Sequence, residues 1–113
     1  MPEDRDSKNF LSKAAQVASE EISKIDSNDL IPPVQMLQIL KVLNERRRQD
    51  EKWGGEKHDD AHESGDWLAI LMSELGEVAF ATLAHPEKVV AEEIVHVAAV
   101  AIAWLEAIQR RKA

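Results

Sequence analysis

Three glutamates and a histidine stand where a helical protein usually keeps apolar side chains. On a helix of about 3.6 residues per turn, Trp67, Ile70, Leu71, Leu75, Val78 and Ala81 trace a broad apolar arc, with Glu74 inside it and Glu77 at its edge. Further on, Val89, Val97, Val100 and Trp104 trace a second apolar face, with Glu93 in its middle and His96 beside it. Residues spaced i, i+3 share a face, so each helix offers two potential ligands to the core. A buried carboxylate needs a cationic partner, a proton or a metal. Two pairs on facing helices make a divalent cation the economical answer, as in bundles that build metal sites from facing helices. Carboxylate oxygens suit Mg2+ or Mn2+. Plainer uses stay open: a solvated edge or interhelical salt bridge for Glu74 and Glu77, a bridge to the Lys- and Arg-rich segment Glu45 to Lys52 for Glu93, and a satisfied core position for His96.

The elements that must position these side chains read as helices throughout. Apolar residues recur at i, i+3 and i+4, Tyr is absent, and no stretch alternates with period 2. A first helical stretch runs from Phe10 to Ile25, and the polar residues 1–9 are expected to fray. Asp26 to Asp29 forms a polar turn. A second helix runs from about Pro33 to Lys52, started by proline and carrying Met36, Leu37, Leu40 and Leu43 as its core stripe. Gly54-Gly55 ends it. The connection 54–64 holds Lys57, His58, Asp59, Asp60, His62 and Glu63, which is either solvated surface or a binding loop. Ser64 is placed to cap a third helix, about Gly65 to Ala84. A fourth follows from about Pro86 to Arg110, with a basic end that suits the helix dipole. The expected architecture is a single all-α domain over 10–113, a bundle of about four to five helices. From Ile94 to Leu105 the fourth helix is apolar in nearly every direction, which asks for burial on all sides. A second subunit is the simpler cover, so a homo-oligomer, dimer or tetramer, is expected.

Composition narrows the function classes. The 113 residues carry a formal charge of -7, which disfavours general binding to nucleic-acid polymers. A nucleotide substrate stays admissible because a bound cation reverses the local sign. With no cysteine, disulfides, thiolate metal sites and a cysteine nucleophile are excluded. The longest uncharged apolar run, Ile94 to Leu105, is short of the roughly 20 residues of a membrane span. No membrane association and a cytoplasmic location are the expectations.

At these residues the chain resembles the MazG-like branch of the all-α nucleoside triphosphate pyrophosphohydrolases, including small MazG-like proteins of phages and bacteria. The likeness covers about Leu37 to Ile108. It rests on Glu45-Arg46-Arg47-Arg48-Gln49-Asp50-Glu51-Lys52-Trp53-Gly54, His58-Asp59-Asp60, Asp66-Trp67, Glu74-Leu75-Gly76-Glu77 and Glu92-Glu93-Ile94-Val95-His96, then on the alanine-rich run ending Trp104-Leu105-Glu106-Ala107-Ile108. In that family an E-x-x-E on one helix and an E-x-x-D on the next bind Mg2+, and the active site is completed by another subunit. The resemblance implies Glu74, Glu77 and Glu93 as metal ligands and catalytic residues, with His96 in the aspartate's place as a conditional fourth ligand. Imidazole suits Mn2+, Zn2+ or Ni2+ better than Mg2+. It further implies cleavage of a nucleoside triphosphate to monophosphate and pyrophosphate, with Arg47, Arg48, Lys52 and Lys57 neutralising phosphate oxygens, Trp53 stacking on the base, and Asp59 and Asp60 reaching the metal or the base edge. Two other functions fit the same residues: a catalytically weak or inactive nucleotide-binding protein, favoured by His96, and a structural helical oligomer.

Overall fold

The computed structural model describes residues 5–25 and 31–112. The expected turn at 26–29 and residues 1–4 lie outside the described residues. The described chain is all-α: α1 (Arg5–Ser23), α2 (Pro33–Trp53), α3 (Glu56–Asp60), α4 (Ser64–Ala84) and α5 (Glu87–Lys112). Helix α5 is the spine, lying against α4, α2 and α3.

Helix α2 starts with Pro33 at its first turn and stops at Gly54, whose φ of 104° is left-handed and whose N–H donates to the Asp50 carbonyl. Gly55 also has positive φ, 71°. The two together turn the chain into α3, one short helix inside the segment expected to be a loop. Its five residues are too few to show a helical period. Glu63, not Ser64, caps α4: the Glu63 side chain accepts from the backbone of Asp66, and the Asp66 carboxylate accepts from the Glu63 N–H at 2.9 Å. A reciprocal pair satisfies two orphan donors where a serine would satisfy one.

The core is narrow. Trp67, Val100, Ala103 and Ala107 form the buried cluster, with Ile70, Leu71 and Trp104 packed against it. On α4 the inward face runs Trp67, Ile70, Leu71, Glu74, Val78 and Ala81, so Glu74 occupies a core register. On α5 it runs Val89, Glu93, His96, Val100, Ala103 and Ala107.

One expectation about burial fails within the single chain. The stripe Met36, Leu37, Leu40 and Leu43 is exposed. Helix α2 meets α5 through its charged C-terminal half instead, burying Glu45 and Arg46 and half-burying Val42, Gln49 and Asp50. The reason is register: positions 42, 45, 46 and 49 share one face, and that face carries ion-pair partners for α5. Helix α5 is not buried all round by its own chain: Ile94, Leu105 and Ile108 are exposed, and so are Leu68, Met72, Leu75 and Leu83 of α4. By length and composition α4 also has the makings of a bilayer-crossing helix, although Glu74 and Glu77 interrupt it.

Candidate metal centre

The middle of α4 and the first half of α5 bring Glu74, Glu77, Glu93 and His96 together. One ligand atom from each lies within 4.8 Å of the others. Glu74, Glu93 and His96 are half-buried and Glu77 is exposed, so the cluster opens to solvent on one side. The i, i+3 spacing on both helices makes this convergence: each pair shares a face, and the helices pack along those faces.

The donor set fits a divalent cation. Glu74 Oε2 and Glu93 Oε2 are buried oxygens with no hydrogen-bond partner, a costly condition unless something cationic satisfies them. His96 Nδ1 lies 3.3 Å from Glu93 Oε2 without the alignment of a hydrogen bond. Repulsion from Glu74, then a hydrogen bond and charge from Glu93, push the Glu77 carboxyl above its usual range. Like charges this close resist joint ionisation, and a bound cation would relieve the conflict. The set of three carboxylates and one imidazole admits Mn2+ as well as Mg2+.

A cavity of about 330 Å3 adjoins the cluster. Glu74 and His96 reach its wall, and Arg48, Lys52, Trp53 and Trp67 form others of its sides. Lys52 Nζ sits 4.7 Å above the Trp53 ring, a cation–π contact, and Trp53 is half exposed. On the other side of His96 a second, more open cavity is lined by Lys41, Arg48 and Lys88. Arg48 and His96 thus border both.

The remaining residues singled out in the sequence fall elsewhere. Arg47 and Lys57 are exposed and away from the walls of these cavities. Asp60 is engaged by Arg110, with Nη2 to Oδ1 at 2.7 Å, which ties α3 to α5. Asp59, one residue earlier, is the loop acid that is buried and lines the cavity.

Sequence reasoning missed Glu45 as a site residue. Its carboxylate accepts from Arg48 at 2.6 and 2.7 Å and from Gln49 at 3.3 Å, and lies 3.8 Å from His96 Nε2. The Arg48 hydrogen bonds hold its carboxyl below the usual range against the opposing effect of burial. It also missed Arg46, whose guanidinium meets Glu106 at 3.0 Å, Asp50 at 3.0 Å and Asp59 at 3.6 Å. Both stand in a run of nine charged or amide residues, Asn44 to Lys52, where only the helical phase separates the buried pair from its exposed neighbours. Lys41 and Lys88 carry no sequence signal beyond their charge.

No protein-family model, curated protein or solved structure matches the chain.

Proposed function

We propose that the protein is a divalent-metal-dependent nucleoside triphosphate pyrophosphohydrolase of the MazG-like kind, releasing a nucleoside monophosphate and pyrophosphate. One observation carries the reading: four ligand atoms within 4.8 Å of one another beside a cavity with both cationic and aromatic walls. Glu74, Glu77, Glu93 and His96 would hold the metal. When bound, the metal supplies charge neutralisation for phosphate oxygens and a lowered pKa for a bound water. Lys52 and Arg48 face the adjoining cavity and are placed to bind phosphate oxygens, Arg48 as a fork and Lys52 as a mobile charge. Glu45 positions Arg48 by a bidentate hydrogen bond. Trp53, half exposed and lining the cavity, is placed to stack on a planar base.

The reading includes a homo-oligomer in the cytoplasm. Leu68, Met72, Leu75 and Leu83 on α4, and Ile94, Leu105 and Ile108 on α5, are exposed at spacings of three, four or seven residues or their sums. That is how helices present seams to other helices. A second copy satisfies them without lipid. A bilayer would have to accept Glu74 and Glu77 in the middle of α4, which is costly.

The test is a panel of nucleoside triphosphates with Mg2+, Mn2+ or Co2+, scored for monophosphate and pyrophosphate. Glu74→Gln should abolish both products. Release of neither from the unaltered protein under every metal sinks the hydrolase reading. A catalytically silent nucleotide-binding protein is favoured by one feature: His96 has a carboxylate near each ring nitrogen, Glu93 at 3.3 Å and Glu45 at 3.8 Å. Triphosphate binding without turnover, converted to turnover by His96→Asp, would select that alternative.

A further inference from the structure

The cavity has a wall that the metal cluster does not use. Four rings run along it in sequence. Trp53 stacks on His58 with centroids 5.8 Å apart, His58 meets His62 edge-on at 4.7 Å, and His62 meets Trp67 at 5.0 Å. All four residues line the cavity. Its volume, about 330 Å3, lies at the low end of small-ligand sites, about 300–1,000 Å3.

Two residues of the same wall carry buried polar atoms that nothing satisfies. Trp67 is 3% exposed and its Nε1, a donor, has no partner; Asp59 is 8% exposed and its Oδ2, an acceptor, has none. Native proteins rarely leave such groups alone. Asp59 is also held in place. Its Oδ1 lies 3.2 Å from His58 Nδ1, and Arg46 lies 3.6 Å from Oδ2, beyond hydrogen-bond reach. Arg46 is already committed to Glu106 and Asp50, each at 3.0 Å. One guanidinium therefore faces three carboxylates, and Asp59 Oδ2 is the buried oxygen among them left without a hydrogen bond.

We infer that Asp59 is a specificity-determining residue of this cavity, accepting a hydrogen bond from the exocyclic amine of a nucleobase that stacks against the Trp53–His58–His62 rings. Trp67 Nε1 donates to an acceptor on the same base. The inference rests on the nucleotide reading above and adds the class of base. A cytosine, adenine or guanine presents an amine to a lone carboxylate oxygen. A uracil or thymine presents an imide N–H flanked by two carbonyl oxygens, which turn their lone pairs toward the carboxylate. The cavity thus selects amino-bearing bases over uracil and thymine.

The test is calorimetric titration of the unaltered protein, with Mn2+ present, by the 5′-monophosphates of deoxycytidine, deoxyuridine, deoxyadenosine, deoxyguanosine and thymidine. Deoxycytidine and deoxyuridine monophosphates differ only along the C4–N3 edge, an amine beside a ring acceptor in one and a carbonyl beside an N–H in the other, so this comparison needs no variant. Loss of one hydrogen bond to a charged group corresponds to about tenfold or more in affinity, and deoxycytidine monophosphate should bind at least about tenfold tighter than its uridine counterpart. Asp59→Asn, whose amide can accept or donate, should bring the two within about threefold of each other, on the same scale. Equal binding by the unaltered protein overturns the inference, as does undiminished preference in a folded Asp59→Asn. Selective binding without pyrophosphate release from the triphosphates keeps this inference and sinks the hydrolase reading. Pyrophosphate release indifferent to the base does the reverse, and binding of no nucleotide sinks both.

Discussion

Glu45 Oε2 lies 3.8 Å from His96 Nε2, so the C-terminal half of α2 touches the Glu74–Glu77–Glu93–His96 cluster through an acid that α4 and α5 do not supply. Arg48, more than His96, holds the Glu45 carboxyl below its ordinary value of 4.5. A carboxyl whose folded pKa is depressed stabilises the fold above the unfolded value, and that contribution is lost as pH falls through the folded one. Stability should therefore decline on acidification from about pH 4.5 downward, and Glu45→Gln should flatten that part of the profile. Urea midpoints measured between neutral pH and pH 3 check this; an unchanged profile in the variant removes Glu45 from the account.

Glu77 shows the opposite shift with the opposite sign. Its carboxyl is raised, by Glu74 first. The folded state resists ionising it, so the metal-free protein loses stability as pH rises from the ordinary value of 4.5 through the raised folded one. Glu77→Gln should make the metal-free protein melt higher while weakening its response to metal. For the unaltered protein, Mn2+ at a hundredfold excess over its Kd should stabilise by about 2.7 kcal/mol. Thermal melts with Mn2+, Mg2+ and chelator read both effects. A variant that melts lower without metal contradicts the repulsion.

Arg46 is the costly residue to lose. Its side chain is 8% exposed, and burial alone would lower its pKa, but hydrogen bonds and charge from Glu106, then Asp50 and Asp59, reverse that. Its loss leaves Asp59, 11% exposed, without its cation, while Asp50 and Glu106, 44% and 42% exposed, turn to water, so the cost is that of one buried acid left unsatisfied, about 1–3 kcal/mol. Arg46→Ala should lose stability on that scale, measured by denaturant unfolding. The neighbouring Arg47→Ala, on an exposed side chain, should stay within about 0.5 kcal/mol. Equal costs for the two would mean that the Arg46 network contributes little.

Much of the arrangement is legible in the amino-acid order, and the rest fails for identifiable reasons. Helices α2, α4 and α5 follow from the 3.6-residue period and its proline and glycine punctuation. The acids within apolar arcs mark Glu74, Glu77, Glu93 and His96, because a local period fixes direction without knowledge of partners. The run from Glu45 to Lys52 is different: when every neighbour is polar, no apolar arc marks the inward face, and Glu45 and Arg46 are revealed only by the helix that lies against them. Asp59 and Asp60 are adjacent acids of the same type, yet one lines the cavity and the other is tied to Arg110. Only the turn of α3 separates them. The apolar pattern marks α5 as a helix with apolar side chains on nearly every side, and both α4 and α5 leave some of theirs exposed in the single chain, but the pattern does not say which side faces the chain's own core.

That surplus surface gives the last prediction. Leu75 and Leu105 are 56% and 64% exposed in the single chain, so replacing either by glutamate should cost an isolated subunit no more than about 0.5 kcal/mol, the usual range for surface changes. In an oligomer whose α4 and α5 seams are buried, the same glutamate enters an apolar interface without a partner, where a lone charge is strongly disfavoured. Leu75→Glu and Leu105→Glu should therefore lower the mass seen by light scattering to that of a monomer while helical circular dichroism is retained. They should also weaken metal-dependent turnover, if the neighbouring copy helps to close the site beside Glu74. An unaltered protein that is already monomeric at tens of micromolar, or variants that keep the parent mass, would show that these seams serve some other partner.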